Sequence, residues 1–182
     1  MIQRDFAAIP DALTAILPAQ MVSCTAQTPD YCKVKGYVTP QVQFEVRLPT
    51  QNWNRHYLQV NCGGYCDSLR ATPESIAALN QNFAVAFDNT GHVGDGIGAG
   101  SALWGLDQPQ LQIDFGNRSE YVTALAAKAM ATAFYGENPR YSYSKSNFSH
   151  CEFRHERHSH ELAGHFPSLH VPAFSGCDRG WQ

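Results

Sequence analysis

A mixed α/β domain is predicted by three features of the sequence. The run Phe83-Ala84-Val85-Ala86-Phe87, bounded by polar Asn82 and Asp88, has the uniform apolar character of a strand buried on both faces of a parallel sheet. From about Arg118 to Tyr135, Val122, Leu125, Ala126, Ala129, Met130, Ala133 and Phe134 recur at helical spacing. Arg140 to Tyr143 then start another strand, which completes the strand, loop, helix, strand order of α/β folds. At 182 residues and 43% hydrophobic, the chain is long enough for one domain with a substantial core.

The remaining elements follow in order. Asp11 to Pro18 read as a short helix ended by its proline, and Thr25 to Asp30 as a polar loop. Val34 to Val38 and Val42 to Leu48 alternate and are rich in β-branched residues, so they predict a hairpin turning at Thr39-Pro40, with Phe44, Val46 and Leu48 on one face. Trp53 is an anchor in the loop Pro49 to Arg55. Tyr57 to Asn61 form a third strand that runs into Gly63-Gly64. Pro73 to Asn80 give a short helix, and the five glycines between Gly91 and Gly100 a flexible surface loop. The long helix is framed by a capping pair, Asn117 and Glu120, and closed by Gly136 and Pro139.

Composition narrows the function. A formal charge of −3, with 13 Lys and Arg scattered along the chain, leaves no basic stripe to follow a phosphate backbone, so no nucleic acid partner is expected. No run approaches the roughly 20 apolar residues that span a bilayer, so no membrane partner is expected either, and no signal peptide is evident. The cysteines at 24, 32, 62 and 66 lack the paired spacing of structural zinc knuckles. Cys24, Cys32, Cys62 and Cys66 are therefore disulfide candidates with three possible connectivities. With the sequons Asn117-Arg118-Ser119 and Asn147-Phe148-Ser149, they favour an oxidising compartment and a secreted or extracellular protein.

Two stretches carry candidate chemistry. A strand ending in Gly63-Gly64 suits either a tight turn into a helix or a cradle of bare backbone N–H groups for an anion, because glycine tolerates the dihedrals that both require. Asp88 to His92 lie at the carboxyl end of a buried strand, where open α/β sheets place functional groups; the plain alternative is a polar turn in which Asp88 caps neighbouring amides.

These stretches, taken in order, resemble the tannase and feruloyl esterase family. The resemblance runs from about Cys24 to Tyr143 through Tyr31-Cys32-Lys33-Val34-Lys35-Gly36, Phe44-Glu45-Val46-Arg47-Leu48-Pro49 with Trp53-Asn54, Val60 to Cys66, and Asp88-Asn89-Thr90-Gly91-His92. It continues through Asp114-Phe115-Gly116-Asn117-Arg118, Ala127-Lys128-Ala129, Phe134-Tyr135-Gly136 and Tyr141-Ser142-Tyr143. Asn54, Asn61 and Asp67 depart from it, at positions where glycine is expected.

The resemblance implies a serine carboxylic ester hydrolase of α/β-hydrolase fold acting on a small aromatic ester, a gallate or hydroxycinnamate. Gly63 or Gly64 would then give one N–H of the oxyanion hole. The family's Gly-Cys-Ser-x-Gly-Gly elbow should follow Tyr143, but the chain reads Ser144-Lys145-Ser146-Asn147-Phe148-Ser149, leaving Ser144, Ser146 and Ser149 as weak nucleophile candidates and no triad to carry over. The triad acid and base, the lid domain and its calcium site would lie beyond Gln182. The expectation is residues 1–143 as the N-terminal portion of an α/β-hydrolase domain, truncated before the nucleophile elbow and lid, and inactive alone. Residues 144–182 are expected to form an irregular tail, frame-shifted or fused, holding six of the eight histidines. No cofactor or metal is assigned to the chain, the tail set Cys151, His155, His158 and His160 matching no standard module. The alternative is a non-catalytic, disulfide-stabilised fragment that binds a partner or ligand through an open sheet edge.

Overall fold

The computed structural model describes residues 2–5, 13–17, 19–61, 63–94 and 100–145. Eight strands form one sheet: β1 (Ile2–Asp5), β2 (Leu13–Ile16), β3 (Gln20–Val22), β4 (Tyr31–Val38), β5 (Val42–Pro49), β6 (His56–Val60), β7 (Ala84–Asp88) and β8 (Tyr141–Lys145). Their order is β1-β2-β4-β5-β7-β6-β8, with β3 paired to β4. β4 and β5 are the predicted hairpin, each longer than expected, and Phe44, Val46 and Leu48 are fully buried. β7 is buried along its whole length; it runs parallel to β6 and antiparallel to β5. β8 is parallel to β6.

Helices cover both faces. α1 (Pro73–Asn80) begins at Thr72, whose hydroxyl accepts from the Ser75 amide while the Ser75 hydroxyl accepts from the Thr72 amide. Ala78 and Leu79 of α1 pack against Val85 and Phe87, with Leu58 at the margin. On the opposite face α3 (Ser119–Tyr135) lays Val122, Ala126, Met130 and Phe134 over Phe44, Val46, Tyr57 and Ala86. Trp53 does anchor its loop: its ring stacks on Tyr135 at 3.8 Å, and its indole N–H donates to the His56 carbonyl.

Several expectations are corrected. Asp11 to Pro18 contain a strand, not a helix: Thr14, Ala15 and Ile16 pair with Val38, Tyr37 and Gly36 of β4. The pairing is possible because Gly36 lets the chains close up; a Cβ there would lie 2.5 Å from the Ala15 carbonyl oxygen. The long helix has no Asn117–Glu120 cap. It continues from α2 (Pro109–Ile113) through a π-helical turn, Asp114–Arg118, and Arg118 enters α3 in helical conformation without a capping side chain. A preceding helical turn already serves the first amides of α3, so no cap is needed. At the other end Gly136, with φ of 79°, donates its amide to Thr132 as expected. Cys32 and Cys66 each take part in a disulfide, whereas Cys24 is a free thiol on an exposed loop whose amide is held by Asp30.

Candidate active site

The parallel strands β6, β7 and β8 deliver their carboxyl ends to one edge of the sheet. Gly63 and Gly64 follow β6 in an exposed bend, with Gly64 at φ of 69°. Cys62 lies outside the described residues. β8 ends alongside: Val60 pairs with Lys145, and the Asn61 amide donates to the Lys145 carbonyl at 3.0 Å. The chain leaving β8 thus starts two residues short of the glycine turn. Ser144 sits inside β8 opposite Gln59, within the strand rather than at a turn. Ser146, Ser149 and the histidine-rich tail lie outside the described residues.

The end of β7 is more elaborate than its sequence suggests. Asp88 is buried, and its Oδ1 accepts the Thr90 amide at 2.7 Å, so it does cap the turn. Its carboxyl is pushed up to about 6, first by burial and then by the charge of Glu120, while the Thr90 amide and the Thr123 and Gln59 side chains oppose the shift. Glu120 is itself raised by burial, against a hydrogen bond donated by Asn61. Gln59 links the pair: its Nε2 donates to the Glu120 carbonyl at 3.0 Å and lies 3.5 Å from Asp88, and its Oε1 accepts the Tyr57 hydroxyl at 2.9 Å. The Tyr57 phenol is raised by burial and by Asp88.

Beyond Asp88 the turn is tied in two directions. The fully buried Asn89 accepts from the amides of Gln43 and Gly91 and donates to the carbonyls of Gln41 and His92. The Thr90 hydroxyl donates to the Cys66 carbonyl at 2.5 Å, across to the loop that follows the glycine pair. Above this crossing, Trp104 stacks on buried His92 at 3.7 Å, and Phe115 and Tyr65 close the cluster. Phe115 reaches it from the π-helical turn, a device that commonly re-aims a side chain near a site.

Sequence reading finds Gly63, Gly64 and the Asp88–His92 turn and places them at the right sheet edge. It misses Gln59, Asn61 and Glu120. Gln59 and Asn61 read only as members of the third strand, and Glu120 as half of a capping pair with Asn117. Among the described residues, no three His, Cys, Asp or Glu side chains converge into a metal-binding group, and no helix is long and apolar enough to cross a membrane.

An antiparallel hairpin leading into parallel strands, with a helix on each face and the glycine turn between β6 and α1, defines an α/β-hydrolase-type protein. Residues 24–149 match the family described as Tannase and feruloyl esterase, and the chain belongs to it. Over 143 residues it is 30% identical to a probable feruloyl esterase B-2 of Aspergillus flavus, covering 74% of this chain and 26% of that protein. An uncharacterised esterase of Xanthomonas campestris is 29% identical over 119 residues, 63% of this chain and 20% of its own. The crystal structure of feruloyl esterase B from Aspergillus oryzae shares the fold, with a TM-score of 0.56 at 18% identity, over 76% of this chain and 29% of that one. The chain thus spans about a quarter of these relatives' lengths.

Proposed function

We propose that this chain carries the oxyanion-side portion of a serine ester hydrolase for aromatic acyl esters, gallates or hydroxycinnamates. The observation that carries this reading is the exposed Gly63-Gly64 turn at the carboxyl end of β6, in the connection to α1 and inside the stretch that matches the family. In α/β-hydrolases the loop in this place supplies a backbone N–H to the oxyanion of the tetrahedral intermediate, and losing one such donor costs about 100- to 1,000-fold in rate. Gly63 or Gly64 is that donor. The disulfide-bonded Cys32 and Cys66 support an oxidising, secreted setting.

The chain alone is inactive on this reading. Lys145, Asn147 and Phe148 replace the small residues that let a serine sit on a strained strand-to-helix turn, and Ser144 is held within β8. The 182-residue chain is therefore expected to hydrolyse neither methyl ferulate nor methyl gallate above background. Turnover abolished by a serine-directed inhibitor would overturn that expectation, and alanine at Ser144, Ser146 or Ser149 would then show which hydroxyl reacts. A second reading, a partner-binding fragment, is favoured by the exposure of Tyr141 and Tyr143 on the last described strand of the sheet.

A further inference from the structure

We propose that Thr90 is a positioning residue whose hydroxyl, by holding the Cys66 carbonyl, fixes the Gly63-Gly64 turn onto the buried end of β7. The catalytic meaning of this tether rests on the oxyanion reading above; the tether itself does not.

The first observation is a backbone outlier. Thr90 has φ of 54°, in the left-handed region that a β-branched side chain disfavours and that glycine, asparagine or aspartate would occupy at less cost. Strain of this kind persists where the surroundings over-determine it, and it points to a side chain with a task. The task visible at Thr90 is the 2.5 Å hydrogen bond to Cys66, which crosses from the loop after β7 to the loop after β6. With its proton committed there, Thr90 Oγ1 keeps its lone pairs toward His92 Nδ1 at 3.4 Å.

The second observation is the rigidity of the platform. Asn89 uses both amide hydrogens and accepts two bonds on its oxygen, which ties the turn to the β4–β5 hairpin at Gln41 and Gln43 and to its own His92 carbonyl. On the other side Gly91 is wedged against the π-helical turn: a Cβ there would lie 2.6 Å from Asp114 Cβ. Thr90 is presented from a fixed point. The glycine pair ends two residues before the Cys66 carbonyl that Thr90 holds, and glycine surrenders the most conformational freedom on ordering. A donor that must already point at the developing charge needs such an external hold. Further along the same loop Cys66 is itself disulfide-bonded, Asp67 lies close against Gly94, and Tyr65 meets Phe115 and Trp104 at 5.3 and 6.0 Å.

The test is backbone 15N relaxation on the full 182-residue chain. In the wild-type protein Gly63 and Gly64 are expected to have order parameters near the rigid value of about 0.85, and in Thr90→Gly below about 0.6, with α3 unchanged. Thr90→Gly relaxes the left-handed backbone while deleting the hydroxyl, so the fold is kept as the tether goes. Thr90→Val removes the hydroxyl at constant bulk and is expected to loosen the turn likewise, whereas Thr90→Ser keeps it rigid. A turn already loose in the wild type, a turn as rigid in Thr90→Gly as in the wild type, or a Thr90→Ser turn as loose as Thr90→Gly overturns the proposal. The readout is loop order and not turnover, so a failed tether leaves the esterase reading standing, and a failed esterase reading leaves the tether standing.

Discussion

Asp88 places an ionisable carboxyl where almost no water reaches it, and its pH behaviour follows. Its folded value of about 6 lies above the ordinary 3.8, so the native state holds the proton more tightly than the unfolded chain does. Its contribution to stability is fully present below about pH 4 and is lost as pH rises through 6. The shift corresponds to roughly 3 kcal/mol, and Glu120, raised by burial, acts in the same direction. Urea unfolding midpoints are expected to fall between about pH 4.5 and pH 7.5, and Asp88→Asn to flatten most of that fall; an equally steep slope in the variant would refute the assignment. Glu74 acts oppositely: Lys145, 2.9 Å away, holds it at about 2, so that ion pair weakens only in stronger acid. The location of Asp88 was legible in the sequence as the polar end of an apolar run. Its partners were not, because Gln59, Glu120 and Thr123 meet it only after β6, β7 and α3 have packed.

Two glycines separate two causes of element stability. Gly136 ends α3 at φ of 79° with open space where a Cβ would stand, so Gly136→Ala is expected to lose about 1 kcal/mol from backbone strain alone, and Gly136→Asn less. Gly36 has no such dihedral, but a Cβ there would sit 2.5 Å from both the Ala15 carbonyl and the Phe44 ring. Gly36→Ala should therefore cost more, about 1–3 kcal/mol by overpacking. Equal urea midpoints for the two alanine variants would contradict this division. The same comparison explains which elements the sequence declared. β5, β7 and α3 announce themselves through alternation, uniform apolarity and helical spacing, and α1 reads as a short helix from Pro73. β2 does not, because Leu13 to Ile16 fit a helical or an extended pattern equally, and only pairing to β4 decides. The π-helical turn is equally silent: Asn117 looks like a cap until the preceding α2 is seen to run straight into α3.

At the scale of the molecule, the described sheet has β1 and β8 as its two edge strands. β8 stands at the end of the strand order, and Tyr141 and Tyr143 are 46% and 44% exposed. An edge strand with large apolar side chains is a template for pairing with another chain. Concentration-dependent association is expected by light scattering, with Tyr143→Lys reducing it while leaving the melting temperature within a few degrees. A wild-type chain that stays monomeric across the concentration range would rule out the partner-binding reading.

The β6–β8 ladder also sets an order of events in time. β4 and β5 pair residues as close as Val38 and Val42, whereas β6 and β8 pair residues 85 positions apart, His56 with Tyr141. Closure entropy rises with loop length, so the hairpin is available early and β8 joins last. During synthesis the flank of β6, including the strand that leads into the glycine turn, stays uncovered until Tyr141 to Lys145 have been made. A nascent chain of this kind passes through a long interval in which its sheet is one strand short, and that interval is when it is most open to capture by a chaperone or by another strand.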